Sequence, residues 1–295
     1  SMSQYLGTKF TVLSVGRVMT CVLGMVVRRE REIRNFVKTP FYRVLGSFQA
    51  TAKDGTPVLL DAEWKAVEGS KYFGTPYLYK ENGFKEREKA EELIAYLKEE
   101  PPLEAKVLSK EKKKETKNPP LLYNLAELQN DCSKMFKISP DETLKVVQEL
   151  YEKKLVTYPR TDARVLSTAV AKEIYKNING LMRYEPMAGF AKEAMNLGSF
   201  KGIAKTRYVN DKQITDHYAI IPTGQGMGNL RGLSPLSEKV YQVVCRRFLS
   251  IFYPAAIYQK YSLVLERKKE QFFASFKVLS EPGYLKVADV NLAKK

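Results

Sequence analysis

The stretch LVTYPRTDARVLS (155–167) places a phenol, two guanidinium groups, a hydroxyl and a carboxylate within the seven positions from Tyr158 to Arg164. Pro159 disfavours helix at the residue before it, so the backbone at Tyr158 is expected to be extended. In an extended segment residues i and i+2 project to the same side, which sets the Tyr158 phenol beside the Arg160 guanidinium. A phenolate attacking a phosphodiester needs such a neighbour. Charge builds on the non-bridging oxygens, and arginine holds two phosphate oxygens at once. Asp162 could orient Arg160, while Thr161 and Arg164 could hold flanking phosphates. Among 18 tyrosines, these residues by themselves fit better a tyrosine that merely shapes a turn.

The chain's single histidine lies in a second compact stretch, TDHYAIIPTG (215–224). His217 follows an aspartate and precedes an Ala-Ile-Ile run closed by Pro-Thr-Gly, as if held at the mouth of a rigid element. An imidazolium there could bind a phosphate or pass a proton to a leaving oxygen, although isolated histidines are usually structural. One histidine in 295 residues excludes any mechanism that needs two.

These stretches need elements to position them. The apolar residues Leu144, Val147, Leu150, Tyr151 and Leu155 form one stripe, predicting a helix from Ser139 to about Lys154 that delivers the Tyr158 segment. Ser139 with Glu142 and Asn124 with Glu127 fit capping boxes, and Pro140 takes the favoured first helical position. Another helix fits 237–252, with Val240, Tyr241, Val244, Phe248 and Ile251 inward. Upstream, Val18, Cys21, Val22, Met25 and Val26 recur at helical spacing within 11–37, before the solvated RREREIR. Strand patterns follow Pro40 on either side of an Asp54-Gly55 turn, and a helix fits 86–99 with Ala90, Leu93, Ile94 and Leu97 on one face. After Pro254, Tyr261, Leu263 and Leu265 alternate, as do Phe272, Ala274, Phe276 and Val278, predicting two strands joined near Lys268-Lys269. KEKKKETKNPP (110–120) reads as a solvated domain boundary. Strands, a helical insert and strands again therefore follow in order. The expected fold is α+β and multidomain: a helical domain inserted into a β-rich domain, after an N-terminal helical segment.

Charge narrows the partner. Forty-nine lysines and arginines against 33 acids give a net charge of +16, which favours a polyanion. No apolar run of 18 residues and no secretory signal pattern is visible, so a membrane partner is not expected. Cys21, Cys132 and Cys245 are far apart and lack a CxxC spacing; each sits in an apolar helical pattern. They fit small buried side chains in a reducing cytoplasm rather than a zinc site. The opening residues Ser1 to Gln4 read as an artificial start.

Taken together, VGRVMT (15–20), TYPRTDAR (157–164) and DHYAIIPT (216–223) resemble the three signature blocks of type IA DNA topoisomerases, nearest the topoisomerase III branch. Their order and spacing agree across nearly the whole chain. The resemblance implies that Tyr158 links covalently to a DNA 5′ phosphate, that Arg160 assists cleavage and that His217 contacts the phosphate region. It also implies that Arg17 lies along a groove for single-stranded DNA, with Thr20, Thr161, Asp162 and Arg164 as further DNA contacts. The implied domains are a gate-base helical segment (1–38), two parts of a β-rich arch (39–117 and 257–295), and between them a helical domain (118–256) carrying Tyr158. These would be the central part of a ring-shaped clamp.

Three departures stand out. Met19 replaces the usual glutamine, Ala163 replaces a frequent serine or cysteine, and nothing corresponds to the acidic toprim domain. That domain binds magnesium through a glutamate and an Asp-x-Asp pair, a pattern absent here. The expectation is a fragment that also lacks the end of the fourth domain beyond about residue 290. It should hold no metal site of its own, bind single-stranded DNA without relaxing it, and come from a nucleoid-associated bacterial enzyme that leaves room for a partner helicase. A tyrosine recombinase would instead need His-x-x-Arg and a tyrosine near the C-terminal end, but Ile220 stands three residues after His217. A relaxase needs more than one histidine. A non-catalytic nucleic-acid-binding module is the other reading.

Overall fold

The structure is a computed structural model that describes residues 16–51 and 54–288. The stretch 1–15, which includes Val15 of the first signature block, and the end beyond 288 lie outside the described residues. The architecture is α+β, and the chain divides into two compact units. One comprises Ser1–Leu108 and Val264–Ala274, the other Ser109–Leu263 and Ser275–Lys295.

Among the described residues the first element of the first unit is helix α1 (Arg17–Arg34), which has no buried residue. Its apolar stripe, with Val18, Met25 and Val26 largely exposed, meets no cover among the described residues. Cys21, expected to be buried, is therefore exposed, because no described neighbour closes over its helix. Strands β1 (Leu45–Thr51) and β2 (Pro57–Lys65) form the expected antiparallel hairpin. Next come the short pair β3 (Leu78–Lys80) and β4 (Gly83–Phe84), and helix α2 (Arg87–Lys98). The core is aromatic: Trp64 stacks on Phe84 with centroids 4.9 Å apart, and Tyr72 meets the Phe84 ring edge-on.

Two charged residues tie that core down. Glu270 is buried to 1% exposure, and its two oxygens accept hydrogen bonds from Trp64 Nε1 and the Lys71 backbone N–H, both at 2.7 Å. A buried carboxylate with both oxygens satisfied avoids most of its desolvation cost. Arg267 donates to the carbonyls of Leu97, Glu99, Glu100, Pro102 and Glu104, gathering the chain just after α2. Its positive charge also complements the negative end of the helix dipole.

Strand β5 (Lys106–Lys117) corrects the sequence expectation for the charged run. Those lysines form the outer strand of a five-stranded sheet ordered β1-β2-β7-β6-β5, with β6 as Ala256–Arg267 and β7 as Glu270–Glu281. Main-chain pairing with β6 needs no apolar side chains, and lysines are the usual means of protecting a sheet edge from further pairing. A hydropathy reading therefore saw a linker. The β6–β7 turn falls at Lys268-Lys269 as expected, with both residues at positive φ (51° and 64°).

The second unit is mainly helical: α3 (Leu125–Phe136), α4 (Pro140–Glu152), α5 (Thr168–Leu181), α6 (Glu185–Leu197), α7 (Pro235–Ser250) and the short α8 (Leu285–Ala288). Ser139 and Glu142 make the reciprocal capping box at α4, whereas Asn124 caps α3 through its own side chain, accepting from the Glu127 N–H. Helix α4 stops at Glu152, and Lys154 adopts a left-handed φ of 62°. Helix α7 starts two residues before the expected Ser237, because Ser234 is its N-cap and Pro235 its first residue. A single cluster including Leu128, Val147, Ile174, Ile221, Val244 and Phe248 forms the core. Cys132 and Cys245 are buried there, and burial pushes the Cys132 thiol up to about 12.

One close approach sets the position of the His217 segment. A Cβ on Gly180 of α5 would overlap the Gly224 carbonyl, and Gly224 itself needs a φ of +73°. Asn177 donates to the Pro222 carbonyl and Arg183 to that of Gly224. Gly180→Ala is expected to lower stability by about 1–3 kcal/mol, the usual cost of overpacking. A urea unfolding midpoint unchanged from the parent would contradict this packing.

Candidate active site around Tyr158

The Tyr158 segment leaves α4 and enters a short antiparallel pairing with the segment that follows His217. Thr157 N–H donates to the Ile221 carbonyl and Thr223 N–H to that of Leu155, each at 3.0 Å, around a bridge between Val156 and Pro222. The Thr157 hydroxyl clamps both sides, donating to the Ala219 carbonyl and accepting from the Ile221 N–H at 3.0 Å each. Ala219, Ile220 and Ile221 are at most 1% exposed, so the strand after His217 is anchored in the core. The anchoring continues through Ile220 N–H to the Tyr123 carbonyl and Ala219 N–H to that of Val165.

This pairing brings two remote sequence blocks together. The Tyr158 and His217 rings lie 4.3 Å apart, centroid to centroid, at 42°. Tyr151, at the end of α4, presses edge-on against Tyr158 at 5.4 Å. Both Tyr158 and His217 line an open cleft of about 510 Å³, with Tyr151, Lys154, Tyr218 and Gln225 among its walls. The phenol is therefore accessible on one side and held by aromatic contacts on the others.

The other candidate residues divide into three groups. Arg160 is exposed, forms no ion pair among the described residues, and does not line the cleft. Asp162 is exposed too, and no pairing with Arg160 accompanies it; its backbone carbonyl accepts from Asn124 Nδ2. Among the described residues Asp162 therefore does not orient Arg160 through an ion pair.

Thr161 and Arg164 turn inward instead. Thr161 is 6% exposed, and its hydroxyl donates to the His217 carbonyl at 2.9 Å and accepts from the Ala163 N–H. A buried, doubly bonded hydroxyl is not free to hold a flanking phosphate; it fixes the backbone that carries His217. Arg164 is held by the Leu122 carbonyl and by Glu127, 3.4 Å from its guanidinium. Its charge is partly neutralised within the fold. Ala163 is 8% exposed, which explains why only a small side chain fits there.

Arg17, Thr20 and Met19 form a third group, on the exposed α1 of the first unit.

Sequence reasoning missed Thr157 as a clamp, although it lies inside the second block, and it placed Tyr151 on a buried stripe. Tyr151 is 39% exposed, because the α4 stripe ends at Leu150 and the next residue faces the cleft.

This fold also occurs in solved proteins. It is shared with a structure of full-length topoisomerase I from Thermotoga maritima, at a TM-score of 0.61 and 24% identity over 99% of this chain and 43% of that one. A family profile described as DNA topoisomerase matches residues 1–295. The chain belongs to that family, as a type IA, topoisomerase III-like member. It is 36% identical to DNA topoisomerase 3 of Bacillus subtilis (strain 168) over 97% of its own length and 36% of the relative's. It is 33% identical to DNA topoisomerase 3 of Salmonella typhimurium over 92% of its length and 39% of the relative's. The chain thus spans little more than a third of these curated relatives.

The single histidine makes the site directly observable. Thr161→Val should shift the one set of imidazole resonances and cost about 1–3 kcal/mol, because the His217 carbonyl loses its donor and the buried Ala163 N–H its acceptor. Unchanged histidine resonances together with unchanged unfolding would show that Thr161 does not position this loop.

Proposed function

We propose that this chain is the part of a type IA topoisomerase that grips single-stranded DNA and supplies the nucleophile. The observation that carries the reading is the pairing of Tyr158 with the only histidine in one accessible cleft. The Tyr158 oxygen attacks a backbone phosphorus, forming a phosphotyrosine to the 5′ side and releasing a 3′ hydroxyl. The phenolic proton leaves to solvent or a base, and the departing oxygen takes one up. After the second strand passes, the 3′ hydroxyl attacks the phosphotyrosine and restores both groups. One phosphodiester is exchanged for another of similar energy, so no ATP is required.

His217 sits close enough to bind the scissile phosphate or serve the proton on the leaving oxygen. Arg160, exposed and without an ion-pair partner among the described residues, is able to swing onto the same phosphate once DNA is present. Thr161 and Thr157 act on the DNA only through the loop they hold. Arg17 and Thr20 are proposed to follow the strand along α1, with Asp162 and Arg164 at its margin.

Among the described residues no three His, Cys, Asp or Glu side chains converge on a metal-binding point, so these residues do not fit a magnesium site. The magnesium used by type IA enzymes is assigned to acidic residues beyond this chain, and no step here is routed through it. The strand-rich stretches 39–117 and 257–295 are proposed as the arch, 118–256 as the domain of the nucleophile, and 1–38 as part of the gate base. No described helix is long and apolar enough to cross a membrane. A nucleoid-associated role in the cytoplasm, with a helicase as partner of the parent enzyme, suits the proposed activity.

The chain by itself should bind single-stranded DNA with a steep salt dependence and relax no plasmid. Relaxation by the purified 295-residue chain would overturn these boundaries. In the parent enzyme, Tyr158→Phe should abolish the denaturant-resistant DNA adduct while binding stays within a few fold, as measured with labelled single strands. A surviving adduct would mean another nucleophile.

Arg160→Lys should reduce cleavage by ~10²–10³ and binding far less, because lysine keeps the charge and loses the two-pronged grip on the transition state. An equal loss in both would make Arg160 a simple phosphate contact. His217→Ala should slow the same step by a smaller factor.

A further inference from the structure

The outer strands of the sheet carry a second surface that the Tyr158 cleft does not use. Lys112 of β5, Tyr261 of β6 and Phe276 of β7 form a row across three strands, all within the second unit. The Tyr261 and Phe276 rings are stacked with centroids 5.1 Å apart at 19°, and the Lys112 ammonium lies 5.7 Å from the Tyr261 centroid. Phe276 is 43% exposed and its same-face neighbour Val278 is 50% exposed, so the platform is open to solvent.

Charge is distributed unevenly between the two faces of these strands. Side chains alternate along a strand, so Lys110 and Lys114 share the face of Lys112, at intervals of about 7 Å. All three are exposed. Both acids of β5, Glu111 and Glu115, fall on the opposite face, where they pair with Lys113 and Lys277. The aromatic face therefore keeps three lysines with no acid of β5 to neutralise them. Within the second unit, the positions of β6 and β7 that share this face, Ile257, Gln259, Leu263, Val278 and Ser280, are also uncharged; Arg267 and Glu270 have the same parity but belong to the first unit. A sheet edge needs lysines only to deter pairing. It needs neither a one-sided arrangement nor an exposed stacked pair beside them.

We propose that this face is a second binding surface for single-stranded DNA, with bases stacking on the Tyr261–Phe276 platform and phosphates held by Lys110, Lys112 and Lys114. Every base has a π-face, so such a platform binds strands without reading sequence. An acidic peptide would use the lysines but gain little from the rings. The inference rests on the proposal that the chain grips single-stranded DNA, but it is independent of Tyr158 acting as the nucleophile.

The test is photo-cross-linking of the 295-residue chain to oligo-dT carrying 5-iododeoxyuridine, with the adducts mapped by mass spectrometry. Adducts are expected on Tyr261 or Phe276, and they should persist in Tyr158→Phe. Replacing Lys110, Lys112 and Lys114 together by alanine touches only exposed side chains. It should reduce the slope of log affinity against log salt by about 2, from three phosphate contacts on a single strand. Tyr261→Ala with Phe276→Ala should weaken oligo-dT binding about tenfold or more. An unchanged salt slope in the lysine variant, with adducts confined to the Tyr158 cleft, would overturn this surface and leave the cleft reading intact. Displacement of oligo-dT by polyglutamate, with no effect of the ring variants, would overturn it in favour of an acidic protein partner. No DNA binding by any form would instead overturn the parent reading.

Discussion

The site depends on a short antiparallel pairing between the chain just before Tyr158 and the chain just after His217. Three backbone carbonyls and three N–H groups of 155–157 and 219–223 would be unsatisfied in a dry interior without it, because both segments pass through the core before reaching the cleft. Thr157 reinforces the pairing with one hydroxyl that donates to one side of a peptide step and accepts from the other. Gly180 and Gly224 permit it, since only paired glycines let α5 come so near the turn. The 4.3 Å between the phenol and imidazole rings is a consequence of that pairing rather than of any direct bond between them.

The same logic separates the residues of the second signature block by role. From Pro159 to Arg164, burial alternates between inward and outward positions, as an extended segment requires. Thr161 and Ala163 point in and shape the fold, while Arg160 and Asp162 point out and are available to a ligand. A block of adjacent polar residues is therefore half scaffold and half reactive surface. Arg164 has an intermediate position, bonded to Leu122 and Glu127 yet still partly exposed.

In the first unit, polar anchoring replaces the large apolar core of the second. Glu270 and Arg267 lie near one hairpin turn and reach Trp64, Lys71 and the residues after α2 across the chain. Each satisfies groups that have no helix or strand partner, which lets a thin sheet and one packed helix hold together. The net charge of +16 is likewise not spread evenly. Six lysines against two glutamates sit on β5, where main-chain pairing makes the lysines a fixed row instead of a solvated tail.

Local rules were enough to make several elements legible in the sequence. The capping box of α4, the α7 stripe, the β1–β2 hairpin and the Lys268-Lys269 turn follow from spacing and from dihedral preferences that act within a few residues. Pro159 alone excluded helix at Tyr158, and the lone histidine marked a candidate partner.

What the sequence could not supply was any interaction closed by distant residues. The strand state of β5 depends on a partner more than a hundred residues later, so its lysines looked like a linker. The inward turn of Thr161 depends on the His217 carbonyl, 56 residues on. The burial of Glu270 depends on Trp64, and the exposure of Cys21 on the lack of a described neighbour for α1. Propensity and periodicity are properties of neighbouring residues. Burial, pairing and the meeting of Tyr158 with His217 are decided only when remote segments compete for the same core.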